Sequence, residues 1–319
     1  MAGMSTLDLR LTGFTGTFGH VGACLEPTQG LDEPAELGAG LWFTPNSVFG
    51  GEGYWCEVHG KLGVEMQRRR NFGLLLLVPR PAGERLSDNV LAGKVQDALH
   101  CVLLHGVPIV DFVTVQTGCI INGRPYASLR AQGQRYFPFW RMPSSTLDLN
   151  SLQTSASAFR TLDALYTVPT EYLRLKTGFR ALVRTMREEW PEFRLHQNVR
   201  ALEAVVKADD ADAFAEHSAT LARLACCRLT VKELRETYAM RSCAEHLNDY
   251  LFPLLRLGKS ARAGAFRRGF GIERLALWSY KTILSVPGLV EHFVDDRSIK
   301  AHWGLSEADM QRAWTVDNP

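Results

Sequence analysis

The stretch from Thr230 to Leu251 gathers the side chains with the clearest chemical potential in this 319-residue chain. Placed on a helix at about 100° per residue with Arg241 at zero, Glu245 falls at about 40°, Asp249 at about 80°, Ser242 at about 100° and His246 at about 140°. Tyr250, Cys243, Leu247, Met240, Leu251 and Ala244 fill the opposite arc. One face therefore carries an arginine, a histidine, a hydroxyl and two carboxylates. An imidazole titrates near neutral pH and can move protons, and a guanidinium can stabilise an anion. The solvated face of an ordinary amphipathic helix has the same composition. Two features set this one apart. Leu234 and Tyr238 project at about 20° and about 60°, on the same side as the cluster, so the cluster adjoins buried surface or an interface. The apolar phase also shifts near Ala239 to Arg241, where the helix is expected to break or to change neighbours.

The order Arg241-Ser-Cys-Ala-Glu-His246, late in a helical region, resembles the Arg-x(4–6)-His motif of HEPN domains (higher eukaryotes and prokaryotes nucleotide-binding). These are small helical bundles, many of them metal-independent ribonucleases of toxin–antitoxin and phage-defence systems. Leu234-Arg-Glu-Thr-Tyr238, Leu247-Asn-Asp249 and the earlier Phe193-Arg-Leu-His-Gln-Asn-Val-Arg-Ala-Leu-Glu203 share the look of this group. The resemblance spans about residues 155 to 255. It implies that His246 is general acid or base for the 2′-hydroxyl or the leaving group, and that Arg241 stabilises charge on the phosphoryl oxygens. Ser242 would bond a phosphate oxygen or the imidazole, Asp249 would fix the ring's tautomer, and Glu245 would support them. About 140° between Arg241 and His246 does not bring both onto one phosphate from a regular helix. Either the helix is distorted or two chains contribute, and the resemblance implies the second, a homodimer. Ser242 stands where active nucleases usually carry Asn, Asp or His. A second reading therefore stays open: a HEPN-like module without catalysis, used for dimerisation or for ligand sensing. In a third, the β-rich half is the functional part and the helices only scaffold it.

His196, Arg200, Glu203 and Lys207 form one helical stripe, which either lines the same cleft or is a surface stripe with an Arg200–Glu203 pair. Arg68, Arg69 and Arg70 are the densest basic run, and Arg267 and Arg268 sit beside Gly269 between Phe266 and Phe270, where a loop-like break is expected. Either run could grip an RNA backbone. Gly13, Gly16, Gly19 and Gly22 recur without a dinucleotide fingerprint and are expected in turns. His20, Cys24, Cys56 and His59 do not have the close pairs of a zinc site. There is no nucleophile elbow and no phosphate-cradling Gly-Lys-Ser or Gly-Lys-Thr. No cofactor and no metal is expected.

These residues must be positioned by two halves of different texture. Residues 1–150 are expected to form a mainly β recognition or sensing domain, open to a trigger ligand or protein, and 151–319 an all-helical domain. The class is thus α+β, with the helical bundle HEPN-like by resemblance. Leu7–Leu11, Gly40–Thr44, Tyr54–Val58, Leu74–Val78 and Ile109–Val115 read as strands, Asn122-Gly123 as a hairpin turn, and Asn89–Leu104 as a helix. Past Arg141–Thr146, helix starts recur, and from about Ser155 the chain reads as helical throughout. Thr170-Glu opens a run to about Glu189, Pro191 sits at a first turn, and Asp210 precedes Ala211–Cys226. Thr230 and Glu233 make a capping box. A run from Arg262 to Ile283 is interrupted at Gly269 and Gly271, and Ser306 opens a last helix.

Hydrophobic residues at 46%, charged residues at 22% and a net charge of +2 describe a folded chain with no strong overall field. RNA would have to be held by a local basic patch. No run approaches the roughly 20 apolar residues of a membrane span. Seven cysteines without a C-x-x-C pattern read as free thiols. With no export signal at the N-terminus, a cytoplasmic protein is expected.

Overall fold

A computed structural model describes residues 6–26, 28–45, 71–79, 86–109, 113–132, 136, 146–207, 209–245 and 259–315. The chain is α+β, with a six-stranded antiparallel sheet in the N-terminal half and helices in the C-terminal half. It divides into two compact units between Arg160 and Thr161.

In the first unit the sheet order is β2-β3-β4-β1-β5-β6, from β1 (Gly16–Ala23), β2 (Ala35–Gly38), β3 (Leu41–Pro45), β4 (Phe72–Pro79), β5 (Thr114–Ile121) and β6 (Arg124–Gln132). β1 lies between β4 and β5, with Phe18 opposite Leu77 and Gly118. Both faces of the central strands are covered, which is why Leu74–Val78 is continuously apolar instead of alternating. On one face Phe18, Trp42, Leu75, Leu77 and Ile120 pack with Leu7, Leu11 and Phe14. On the other lies α2 (Asp88–Leu103), whose Leu91, Val95, Ala98 and Val102 recur at helical spacing. Ser87 caps α2 by accepting from Val90 N, and Asp88 accepts from Thr117 and Ser128 hydroxyls on β5 and β6.

Asn122 and Gly123, both at positive φ, turn β5 into β6 as the Asn-Gly pair predicts. Three expectations are corrected here. Leu7–Leu11 belongs to a helix, α1 (Thr6–Leu11), because its leucines at i and i+4 cover the sheet from one side of a helical turn. Of the four spaced glycines only Gly13 sits at a turn, and Gly16, Gly19 and Gly22 lie within β1. A Cβ on Gly19 would come within 3.0 Å of the Leu91 carbonyl on α2, so close helix–strand approach and not turning explains the residue. The strand expected from Ile109 starts only at Thr114, and Ile109 makes an isolated bridge to Leu25. The expected strand Tyr54–Val58, with Cys56 and His59, lies outside the described residues.

α3 (Leu149–Thr167) runs across the division. Its start is tied to the first unit by Leu147, whose carbonyl accepts from Gln29 N. The second unit continues with α4 (Leu173–Arg187), α5 (Pro191–Val206), α6 (Ala211–Leu224), α7 (Val231–Glu245) and α8 (Lys259–Ser285). A short 3₁₀ turn (Leu289–Phe293), α9 (Asp296–Trp303) and α10 (Glu307–Trp314) complete it. Three start signals sit where the sequence placed them: Pro191 in the first turn, Asp210 accepting from Asp212 N and Ala213 N, and Ser306 accepting from Asp309 N. The run expected from Thr170 begins only at Leu173, after Tyr172 in the left-handed conformation.

α5 is the central helix. α4 packs along it through Gly178, where an added Cβ would lie 1.9 Å from Tyr280 Oη and 2.5 Å from Ala204 Cβ. Tyr280, fully buried on α8, donates to the Ala201 carbonyl at 3.1 Å. The same interior holds an ion pair, Arg194 with Glu273, at 6% and 5% side-chain exposure. Burial raises the Glu273 pKa against the lowering effect of Arg194. Gly269 and Gly271 do not interrupt α8, which is continuous over 27 residues. Gly271 instead lets the Leu229 side chain lie against the helix, 2.8 Å from where a Cβ would be. At the C-terminal end His302 is buried and accepts from Trp314 Nε1 at 2.9 Å. Among the described residues no helix is long and apolar enough to cross a membrane.

Candidate functional site

α7 positions the residues of the Arg241 cluster, and its start is fixed by the capping box. Thr230 Oγ1 accepts from Glu233 N at 3.2 Å, and Glu233 Oε2 accepts from Thr230 N and Oγ1, both at 2.9 Å. The backbone N–H of Thr230 is the main reason that the Glu233 carboxyl lies below its ordinary pKa, against the opposing effect of burial. From that start, Leu234, Tyr238 and Arg241 follow at i, i+4 and i+7 on one stripe. Leu234 is fully buried, and the Tyr238 ring packs against Phe214 of α6 with centroids 5.0 Å apart.

Arg241 continues this stripe but meets a different neighbour. Its Nη2 lies 2.9 Å from Glu203 Oε2 on α5, with side-chain exposures of 17% and 16%. Its guanidinium carbon also sits 5.5 Å from the centre of the Tyr238 ring. The phase shift at Ala239–Arg241 is thus a change of packing partner from α6 to α5, and α7 remains helical through it to Glu245. A guanidinium held on one side by a carboxylate and on another by an aromatic face has lost most of its rotameric freedom. Such a group offers a fixed fork of donors to an anion.

The α5 stripe reaches the same place through Glu203. His196 is half-buried and Arg200 exposed on that helix. Lys207, just past the end of α5 at positive φ, pairs with Asp296 of α9 at 3.3 Å. Ser242 and Glu245 lie in the last turn of α7, and their side chains are outside the described residues, as are His246 and Asp249 altogether. Arg68, Arg69 and Arg70 also fall outside them. Arg267 and Arg268 are in the interior of α8 and not in a loop-like break. Arg268 Nη2 lies 3.5 Å from Glu236 Oε2 on α7.

Two groupings escaped the sequence reading. Arg228 and Arg274 share a cleft with Arg268, a juxtaposition that joins the segment before α7 to the middle of α8 and has no local signature. In the sheet unit, His100 Nε2 lies 2.9 Å from Tyr136 Oη and its Nδ1 3.4 Å from Asp97. The i, i+3 spacing of Asp97 and His100 on a helix was the available signal for that second array. Among the described residues no group of three or more His, Cys, Asp or Glu could hold a metal ion. Comparison with models of protein families, with curated proteins and with solved structures gives no match for this chain.

Proposed function

We propose that the helical unit is a HEPN-like, metal-independent endoribonuclease of a bacterial defence or toxin type, working in the cytoplasm on an RNA phosphodiester. The observation that carries this reading is the fixed guanidinium of Arg241, braced by Glu203 and Tyr238, with His246 five residues further along the chain. In the reaction His246 takes the proton of the 2′-hydroxyl or delivers one to the 5′-oxygen leaving group. Arg241 stabilises the charge that builds on the non-bridging oxygens as the 2′-oxygen attacks phosphorus. Ser242 bonds a phosphate oxygen, and Asp249, three residues past His246, orients the imidazole. A homodimer supplies a second copy of the pair, and the N-terminal sheet unit senses the trigger.

The test is RNA cleavage by the purified protein in excess EDTA, with His246→Ala alongside. Cleavage by the wild type only, with unchanged circular dichroism and oligomeric state in the variant, is the expected result. A variant that cuts as well as the wild type removes His246 from the mechanism. The Arg241–Glu203 bond also favours a second reading, because a nearly buried ion pair between helices is what a strut looks like. In that reading the bundle is a catalytically inactive dimerisation module that serves ligand sensing by the sheet unit. His246→Ala is then silent towards RNA, while changes at the dimer face abolish function.

A further inference from the structure

The N-terminal end of α7 and the middle of α8 enclose a cleft of about 390 Å³ that the nuclease reading does not use. Arg228, Arg268 and Arg274 line it, with Glu233 as the acidic side chain of the wall. Glu233 is already engaged, because its Oε2 receives both the backbone N–H and the hydroxyl of Thr230. Arg268 lies 3.5 Å from Glu236, and its charge also acts on Glu233. Arg228 and Arg274 are exposed and have no ion pair or hydrogen bond among the described residues. Three arginines thus line a space whose wall carries one carboxylate, Glu233, with Glu236 beside Arg268, so positive charge is in excess, and the positive end of the α7 dipole adds to it. Gly264 and Gly271 are seven residues apart on the same face of α8, with Arg268 between them, and Gly271 takes up the Leu229 side chain that forms part of the wall.

Ligand-binding clefts run from roughly 300 to 1,000 Å³, so this one takes a group larger than a single ion. Arginine forks match phosphate oxygens in pairs, which makes a phosphoryl group the anion that three guanidiniums serve best. We propose that this cleft binds the phosphate groups of a phosphorylated ligand through Arg228, Arg268 and Arg274. It is separate from the Arg241 cluster: Glu233 precedes Arg241 by eight residues, about 12 Å of helical rise. The proposal therefore does not depend on whether Arg241 and His246 cut RNA. The phosphate comes either from a small phosphorylated molecule or from the end of a strand.

The experiment uses the full chain carrying His246→Ala, so that cleavage plays no part in the readout. Inorganic pyrophosphate is titrated by calorimetry, and a 5′-phosphorylated ten-nucleotide RNA is compared with its 5′-hydroxyl form by fluorescence anisotropy. The double variant Arg228→Ala/Arg274→Ala removes exposed side chains and is expected to keep its circular dichroism. It should weaken binding at least about tenfold and flatten its salt dependence. Saturable pyrophosphate binding that the double variant loses supports the proposal with a small-molecule source. Binding of the 5′-phosphorylated RNA alone, lost in the same variant, supports it with a strand source. Affinity unchanged in the double variant overturns the proposal, and so does failure of the parent protein to bind either probe.

Discussion

Replacing His302 with glutamine should remove a defined part of the helical unit's sensitivity to acid. The His302 side chain is 1% exposed, its Nε2 accepts from Trp314 Nε1, and the rings of His292 and Phe293 lie 4.7 and 5.4 Å away. Burial, and secondarily the neighbouring His292, push its pKa from 6.5 down to about 4. Between these two values the unfolded chain binds a proton that the folded chain refuses, so stability rises with pH across that window. The contribution is complete above about pH 6.5, is lost as the pH falls towards 4, and changes no further below. At about 1.4 kcal/mol per pH unit, the depression corresponds to about 3 kcal/mol. Glutamine does not titrate, and carboxylates that titrate in the same range cancel in the difference between the two proteins. Urea unfolding followed by circular dichroism at pH 7 and pH 4 gives that difference at each pH. The variant should be clearly less stable than the wild type at pH 7, and the gap should close by about 3 kcal/mol at pH 4. A gap of equal size at both values would refute the assignment of a buried neutral imidazole.

Three further outcomes follow from the packing of the second unit. Gly178→Ala places a methyl group against Tyr280 Oη and Ala204, and should cost about 1–3 kcal/mol or more in denaturant unfolding. Arg194→Met leaves the buried Glu273 unpaired and should cost about 3–5 kcal/mol, much of which the additional change Glu273→Leu should restore. Glu203→Gln removes the charge that braces Arg241. It should slow RNA cleavage by tenfold or more and, because the pair is mostly buried, lower urea stability by about 1–3 kcal/mol.

What could be read from the sequence was the locally encoded part. Asn122-Gly123, Pro191, Asp210, Thr230 with Glu233 and Ser306 each act through backbone groups within three residues, and each sits where its chemistry requires. Glycines were misread because their meaning depends on distant neighbours. Gly19 faces α2 across the sheet, and Gly271 faces Leu229, so both serve close approach instead of chain reversal. Leu7–Leu11 shows a further limit, since Leu7, Leu9 and Leu11 alternate as in a strand while Leu7 and Leu11 alone also fit one helical turn. The helical wheel placed Leu234 and Tyr238 beside Arg241, but a wheel carries no information about the partner helix. That Arg241 meets Glu203, 38 residues earlier, follows from how α5 and α7 cross. The acid-sensitive His302 had no sequence signal at all, because its neutrality comes from the rings that surround it.

If Arg241 and His246 drive attack of a 2′-hydroxyl on the adjacent phosphodiester, as proposed, the ends of the cleaved RNA carry the signature. The purified protein is incubated in EDTA with an RNA cut at a mapped position and with the same RNA carrying a single 2′-deoxy residue there. The expected products are 2′,3′-cyclic phosphate and 5′-hydroxyl ends from the first, with no cut at that position in the second and none from Arg241→Ala or His246→Ala. Cleavage that survives the 2′-deoxy substitution, or products ending in 3′-hydroxyl and 5′-phosphate, would contradict it.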